Sequence, residues 1–191
     1  IVDPMPYSTI TSALNDVCLG DPDQVIIFTG YGVPAPVTFN YYTSVNGGPN
    51  IAKSPISSIA PSLTTTLSAP ATTLGTTIYT NGIASSNVCT GGAGSGSARL
   101  TVNPIPTASL TLTGASTICQ SGGASQVTFT GSTGKPPFIF TYDVDGATTQ
   151  TISTLPGHYS VDSTLLTRSA GTHTINLLAV KDTFPCSPSQ A

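Results

Sequence analysis

Four cysteines are the residues of this sequence best suited to covalent chemistry: Cys18, Cys89, Cys119 and Cys186. No two of them have the spacing of roughly two to four residues that zinc-binding pairs use, so the pattern disfavours a zinc site. An even number of cysteines in an oxidising compartment indicates disulfides, and four cysteines allow three pairings. Taken alone, the cysteines leave the pairing open, and four buried thiols in a cytosolic protein are the alternative.

Two pairs of aspartates could supply oxygen ligands to calcium: Asp21 with Asp23, and Asp143 with Asp145. Calcium takes about six to eight oxygen ligands, and neither pair is followed by enough oxygen-bearing residues to form a self-contained calcium loop. Capping of turns is the competing interpretation. Calcium is therefore the one cofactor that the sequence suggests.

Catalytic arrangements are not recognisable in the sequence. His158 and His173 both lie in the second half, and no Gly-x-Ser-x-Gly turn exists to present a nucleophilic serine. The glycine-rich stretch 91–96 lacks the spacing of a phosphate-binding loop and indicates a turn instead. We predict that the protein is not an enzyme.

The composition favours an all-β protein. Only 7% of residues are charged, all eight acidic residues are Asp, and about 55 residues are Ser or Thr. Threonine suits a pleated, half-buried surface, whereas the usual helix-forming surface residues are scarce. A net charge of -3 without a basic cluster disfavours nucleic acid as a partner, and the absence of an apolar run of about 20 residues disfavours membrane insertion.

An internal repeat divides the chain. Shifting the sequence by 101 positions superposes seven identical residues within one short window. The matched residues are Cys18 with Cys119, Phe28-Thr29-Gly30 with Phe129-Thr130-Gly131, Pro36 with Pro137, Phe39 with Phe140, and Tyr41 with Tyr142. Cys89 and Cys186 match at an offset of 97 positions instead of 101. The first repeat therefore carries a net insertion of about four residues. We expect repeat 1 at 1–103 and repeat 2 at 104–191, joined by a stiff linker with Pro104 and Pro106.

Apolar residues alternate with polar ones along each repeat, which is the period of a β-strand. Phe28, Phe39, Phe129 and Phe140 should be equivalent core residues, and Asp145-Gly146 should form a tight hairpin turn. Each repeat has the size of an immunoglobulin-like β-sandwich. Two such sandwiches in tandem are the predicted fold.

The repeat also selects one pairing of the cysteines, because other pairings would join equivalent positions of two domains. Cys18 should bond to Cys89 and Cys119 to Cys186, so that each sandwich carries one disulfide at one of its ends. Closing a loop of about 70 residues would stabilise each domain by roughly 4 kcal/mol in the chain-entropy model. Disulfides also indicate an extracellular destination.

The order of these motifs resembles the Ig-like repeats of giant cell-surface adhesins of Bacteroidota. The resemblance rests on Thr117-Ile118-Cys119, Val127 to Gly131, Pro136 to Tyr142, Asp145-Gly146, Ala170-Gly171-Thr172 and Cys186. It covers nearly the whole of repeat 2 and the framework of repeat 1. Repeat 1 departs from it between Thr43 and Leu74, where a longer polar segment should replace the compact hairpin. Repeat 2 lacks a final strand like Ala98 to Val102, which is expected to be truncated or contributed by residues beyond Ala191.

The resemblance implies export by a type IX secretion route and a structural and adhesive role in a long cell-surface filament for gliding motility or biofilm formation. Its partners would be neighbouring repeats of the same chain and an adhesive ligand such as a surface polysaccharide. Asp162-Ser163-Thr164 is similar to the O-glycosylation acceptor of this bacterial group, with Ser163 as the modified residue. The competing function is a carbohydrate-binding module that uses Tyr42, Tyr79 or Tyr159 as a stacking platform.

Overall fold

The structure is a computed structural model that describes residues 2–12, 15–119, 125–165, 170–184 and 186, without the side chain of Leu165. Every helix or strand assigned within these ranges is a β-strand, which confirms the all-β prediction. No helix that could cross a membrane is found in them. The chain divides into two compact units, residues 1–103 (unit 1) and 104–191 (unit 2).

In unit 1, residues 2–12 and 15–103 form ten strands in two sheets. The strands are β1 (Tyr7–Ser12), β2 (Asp16–Cys18), β3 (Gln24–Tyr31), β4 (Val37–Val45), β5 (Ile51–Ala52), β6 (Ile56–Ser57), β7 (Thr64–Ala69), β8 (Gly75–Ser86), β9 (Gly94–Ser95) and β10 (Ser97–Asn103). One sheet has the order β7-β3-β1-β9 and the other the order β2-β10-β8-β4-β5, with β6 also paired to β4. Strands β8 and β10 run antiparallel, whereas the short β2 runs parallel to β10.

The described residues of unit 2 form six strands in two sheets of three. They are β11 (Thr107–Thr113), β12 (Ser125–Ser132), β13 (Ile139–Val144), β14 (Gln150–Ser153), β15 (Ser160–Leu165) and β16 (Ile175–Lys181). The orders are β11-β12-β15 and β14-β13-β16, and all pairs are antiparallel. In the second of these sheets, β16 pairs with β13 on one side, and no strand among the described residues pairs with its other side.

Corresponding residues of the two units are paired in the same way across neighbouring strands. The matching cross-strand pairs are Ile10–Phe28 and Leu110–Phe129 in one sheet, and Phe39–Ala84 and Phe140–Val180 in the other. Both pairs of the second sheet lie next to a shift in register. Each unit is therefore an immunoglobulin-like β-sandwich built on the same strand plan.

The predicted core aromatics are confirmed, because Phe28, Phe39, Phe129 and Phe140 are at most 1% exposed. They come from opposite sheets and meet between them. Ring centroids lie 5.7 Å apart for Phe28 and Phe39, and 5.6 Å apart for Phe129 and Phe140. Such tilted contacts add to the free energy gained from burying the rings.

The glycine of the repeated Phe-Thr-Gly motif makes room for the start of the next strand. A Cβ on Gly131 would lie 2.5 to 2.8 Å from ring atoms of Phe138, and one on Gly30 would lie 3.0 to 3.2 Å from the side chain of Val37. Phe138 and Val37 are both fully buried. Packing therefore accounts for Gly131, where a Cβ would overlap the ring of Phe138. At Gly30 a Cβ is accommodated only if Val37 shifts by a few tenths of an ångström.

A tight turn follows the central strand in both units. In unit 2, Asp145 and Gly146 have φ angles of 57° and 69° and join β13 to β14, as predicted. In unit 1, Asn46 and Gly47 have φ angles of 49° and 75° and follow β4. The prediction that repeat 1 lacks this turn is wrong. Asn-Gly and Asp-Gly both tolerate positive φ, and the inserted residues lengthen β4 and the segment after the turn.

Candidate functional site

Cysteine oxidation in the structure differs from the predicted pairing. Cys18 and Cys186 are disulfide-bonded, whereas Cys89 and Cys119 are free thiols. The predicted pairs Cys18–Cys89 and Cys119–Cys186 are therefore both wrong, and so is the expectation of one disulfide within each repeat.

The reason in unit 1 is the length of β8. Cys18 lies opposite Asn103, beyond the point where Val102 pairs with the first residue of β8. Cys89 lies past the last residue of β8, where its carbonyl oxygen accepts a 2.8 Å hydrogen bond from the N–H of Ser86. A strand of 12 residues spans about 36 Å, and the Cα atoms of a disulfide lie within about 7 Å. The two cysteines occupy opposite ends of the sandwich.

The same separation applies in unit 2. Cys119 follows Ile118, which lines the same cleft as Ile175, the first residue of β16. Cys186 comes after the other end of that strand, which is seven residues or about 20 Å long. A sequence offset shows that the two cysteines of each repeat correspond, but it does not show that they approach each other.

The first aspartate pair lies in turns of unit 1. A carboxylate oxygen of Asp21 accepts a 2.8 Å hydrogen bond from the backbone N–H of Cys18. Asp23 accepts a 2.5 Å hydrogen bond from the hydroxyl of Ser68 on β7. Among the described residues, no three side chains of His, Cys, Asp or Glu group closely enough to hold a metal ion. Calcium binding stays a prediction.

The second pair organises the hairpin of unit 2. Asp143 is buried and accepts hydrogen bonds from the N–H of Gly146 at 2.9 Å and from Nδ2 of Asn176 at 2.8 Å. Asp145 accepts a 2.6 Å hydrogen bond from the N–H of Thr174, and its other carboxylate oxygen lies 2.6 Å from Nδ1 of His173.

In unit 1, the neutral side chain of Asn46 makes the backbone hydrogen bond that the side chain of Asp145 makes in unit 2. There Asn46 accepts a 2.8 Å hydrogen bond from the N–H of Thr76 through Oδ1, and its own N–H bonds to the carbonyl of Thr76. Asp145 makes the corresponding pair of bonds to Thr174. Because the uncharged amide of Asn46 caps its turn in the same way, capping does not require a negative charge. The geometry therefore favours turn capping as the role of Asp145 over a role that needs a carboxylate.

Ser163, the candidate glycosylation residue, is half-buried in β15 and faces Val127 across the strand pair. Its neighbours Asp162 and Thr164 are exposed, and Asp162 accepts a 2.7 Å hydrogen bond from the hydroxyl of Thr128. Glycosylation of Ser163 stays a prediction.

The three tyrosines expected as stacking platforms differ in exposure. Tyr42 and Tyr159 are 37% and 53% exposed, and the ring of Tyr159 packs on Phe138 at 5.8 Å between centroids. Tyr79 is buried, so the prediction that it is an exposed platform is wrong. Burial raises the pKa of Tyr79, with a further contribution from the nearby Tyr41, whose pKa burial also raises.

One exposed aromatic pair is not evident from the sequence. Tyr7 on β1 and Tyr31 on β3 are cross-strand partners, and their rings stack with centroids 4.8 Å apart and an interplanar angle of 12°. They are 52% and 37% exposed. They are 24 positions apart in sequence, so only the register of β1 against β3 reveals the pair.

An open cleft of about 1130 Å³ lies in unit 2. It is lined by apolar residues of both sheets together with the segments 115–118 and 170–175. Its apolar lining includes Leu110, Ile118, Val127, Tyr142 and Ile175.

No protein-family model matches this sequence, and no curated protein matches it. Similar solved structures include the human OSCAR ligand-binding domain, at 16% identity over 97% of this chain and 95% of that chain, with a TM-score of 0.40. A two-domain fibronectin type III segment of chicken tenascin is 11% identical over 93% and 96%, with a TM-score of 0.34.

The BSP domain of a biofilm-associated protein is 11% identical over 95% of this chain and 29% of that chain, with a TM-score of 0.27. At these identities and TM-scores the similarities carry no argument about function. The strand plan itself defines the class: this is a tandem immunoglobulin-like β-sandwich protein.

Proposed function

We propose that this chain is a structural and adhesive repeat module of a long, secreted cell-surface filament, of the kind used in gliding motility or biofilm formation. The observation that carries the proposal is that one sandwich plan occurs twice in direct succession, and each copy has its own core. Because each repeat buries its apolar residues internally, a further repeat would bring its own core and add length without changing the cores already present. Neighbouring repeats of the same chain are the expected partners.

The oxidised state of Cys18 and Cys186 supports an extracellular location, since disulfides persist mainly outside the reducing cytosol. The sequence is rich in Ser and Thr and only 7% of its residues are charged, so it offers little for electrostatic binding of polyanions.

Single-molecule stretching of the full chain with reduced cysteines tests the structural part. Two unfolding events are expected, releasing roughly 350 Å for the 103 residues of unit 1 and roughly 300 Å for the 88 residues of unit 2. A single event for the whole chain, or extension without resistance, would contradict independent repeat modules.

A second function, carbohydrate binding, is favoured by the Tyr7–Tyr31 stack. Two parallel rings on a sheet surface offer a flat apolar face with hydroxyl groups at its edge, which suits the faces of sugar rings. A glycan-array screen of the full chain identifies any ligand, and Tyr7→Ala should then weaken its binding at least about tenfold.

The matched control is Tyr159→Ala, which removes an equally exposed tyrosine from unit 2. Equal loss in both variants, or no loss in Tyr7→Ala, would exclude the stacked pair as the binding platform.

A further inference from the structure

A second cavity, of about 430 Å³, lies in unit 1 between its two sheets. One wall belongs to the sheet of β4, β8 and β10 and includes Tyr41, Thr43 and Tyr79, of which Thr43 and Tyr79 are cross-strand partners. Leu67 on β7 of the other sheet and Pro70 in the loop after it line the opposite side. Sites that hold small molecules have volumes of about 300 to 1,000 Å³, so the cavity is large enough for one.

Three buried hydroxyl groups in this cavity lack a hydrogen-bond partner. Tyr41, Thr43 and Tyr79 are at most 8% exposed, and no residue that the structure describes forms a hydrogen bond with any of their hydroxyl groups. These oxygen atoms are not sealed off by protein either, so they open onto the cavity. Buried hydroxyl groups are normally hydrogen-bonded, and these three can donate bonds to a polar ligand and accept bonds from it.

Lys53 brings one positive charge to the same cavity. Its N–H donates a 3.1 Å hydrogen bond to the carbonyl oxygen of Tyr41, which places the two residues opposite each other on β4 and the end of β5. Within the described ranges Lys53 forms no ion pair and no acidic side chain lines the cavity, since the carboxylate of Asp23 bonds to the lining residue Ser68 without lining it itself. One unpaired ammonium group favours a ligand with one negative charge.

The rest of the lining is partly apolar, through Leu67, Pro70 and Val102. A sugar ring has apolar C–H groups on its faces and hydroxyl groups at its edge, so it suits apolar residues beside convergent hydroxyls. A carboxylate on that ring suits Lys53. A neutral sugar would leave the ammonium group of Lys53 without a partner, and a simple carboxylic acid would leave the buried hydroxyls without one.

We propose that the cavity of unit 1 binds a single hexuronic acid residue, as the end residue of a glycan. Lys53 binds the carboxylate, and Tyr41, Thr43 and Tyr79 bind hydroxyl groups through their own hydroxyls. Recognition of one carboxylate needs one lysine, which agrees with the low charge of the chain. The site is separate from the stack of Tyr7 and Tyr31, which do not line the cavity, and it does not depend on the role as a repeat module.

The test is a titration of the full chain with glucuronate, followed by the amide resonances of Tyr41, Thr43 and Tyr79. Glucose and acetate, which each lack one half of the proposed ligand, are titrated at the same ionic strength. Glucuronate should give saturable shifts with a Kd at least about tenfold lower than either. Lys53→Gln should raise the Kd for glucuronate at least about tenfold, and Tyr79→Phe, which removes only a hydroxyl group, at least about threefold.

The matched controls are Lys135→Gln, at an exposed lysine of unit 2, and Tyr42→Phe, at an exposed tyrosine outside the cavity lining. Both should bind glucuronate as the unmodified chain does. Equal affinity for glucose, equal loss in variants and controls, or no shifts at the cavity would overturn the proposal. Loss of binding in Tyr7→Ala would assign the sugar to the stacked pair and overturn it too.

Two further points keep the result interpretable. Lys53 is exposed, so Lys53→Gln tests the site even if Tyr79→Phe weakens the core. The stretching experiment on the repeat modules involves no ligand, so a failure to bind glucuronate and a failure of the module function are seen separately.

Discussion

Free and oxidised cysteines can be distinguished by labelling. Cys119 is exposed and free, and Cys89 is a half-buried thiol, so both should be alkylated without a reducing agent. Cys18 and Cys186 should react only after reduction. Mass spectrometry of the digested protein measures each site separately. Protection of Cys119 before reduction would contradict its assignment as a free thiol.

Two buried tyrosines should make unit 1 sensitive to alkaline pH. The pKa values of Tyr41 and Tyr79 are raised above 10.0 in the folded state, chiefly because burial disfavours the phenolate. Below about pH 10 both tyrosines are protonated in the folded and in the unfolded protein. Above that pH the unfolded chain loses the two hydroxyl protons first, because burial raises the pKa values only in the folded state. The free energy of unfolding should therefore begin to fall as pH rises above about 10. The fall should continue until the pH passes the pKa values that the two tyrosines have in the folded state. Urea unfolding should show a smaller fall for Tyr79→Phe, and an equal fall would contradict this origin.

At the scale of the strands, the Phe-Thr-Gly motif can be tested by adding one methyl group. Gly131→Ala would place a Cβ 2.5 Å from the ring of the buried Phe138, and the aromatic ring cannot move without disturbing the core. The substitution should lower the free energy of unfolding by about 1 to 3 kcal/mol, as in other overpacked cores. Chemical denaturation measures it.

Gly30→Ala is the matched substitution, since its Cβ would lie 3.0 Å from the smaller Val37. It should cost less than Gly131→Ala. The reverse order would show that the two glycines are retained for backbone reasons and not for packing.

At the scale of the whole molecule, each unit should respond to damage in its own core. Phe140→Ala empties a fully buried site in unit 2 and should cost about 3 to 5 kcal/mol. Hydrogen exchange should speed up in β12, β13 and β16 and stay unchanged in β3 and β4, because Phe140 belongs to a separate core cluster.

The control is Ile139→Ala, which removes a neighbouring side chain that is 41% exposed and should cost less than about 1 kcal/mol. Faster exchange in both units of Phe140→Ala would show that the two cores are energetically coupled.

Several features could be predicted from the sequence because they depend on local or repeated patterns. Alternation of apolar and polar residues placed Phe28, Phe39, Phe129 and Phe140 inside, since successive side chains of a strand point to opposite faces. The Asp145-Gly146 turn followed from the ease with which these residues adopt positive φ.

Other features depended on distances across the fold. The cysteines of each repeat correspond in sequence, yet the 12 residues of β8 hold Cys18 and Cys89 at opposite ends of one sandwich. The stack of Tyr7 on Tyr31 and the cleft beside β16 likewise arise from which strands pair and in which register. The alternation along a strand decides which way a side chain points, whereas strand pairing and strand length decide which distant side chains meet.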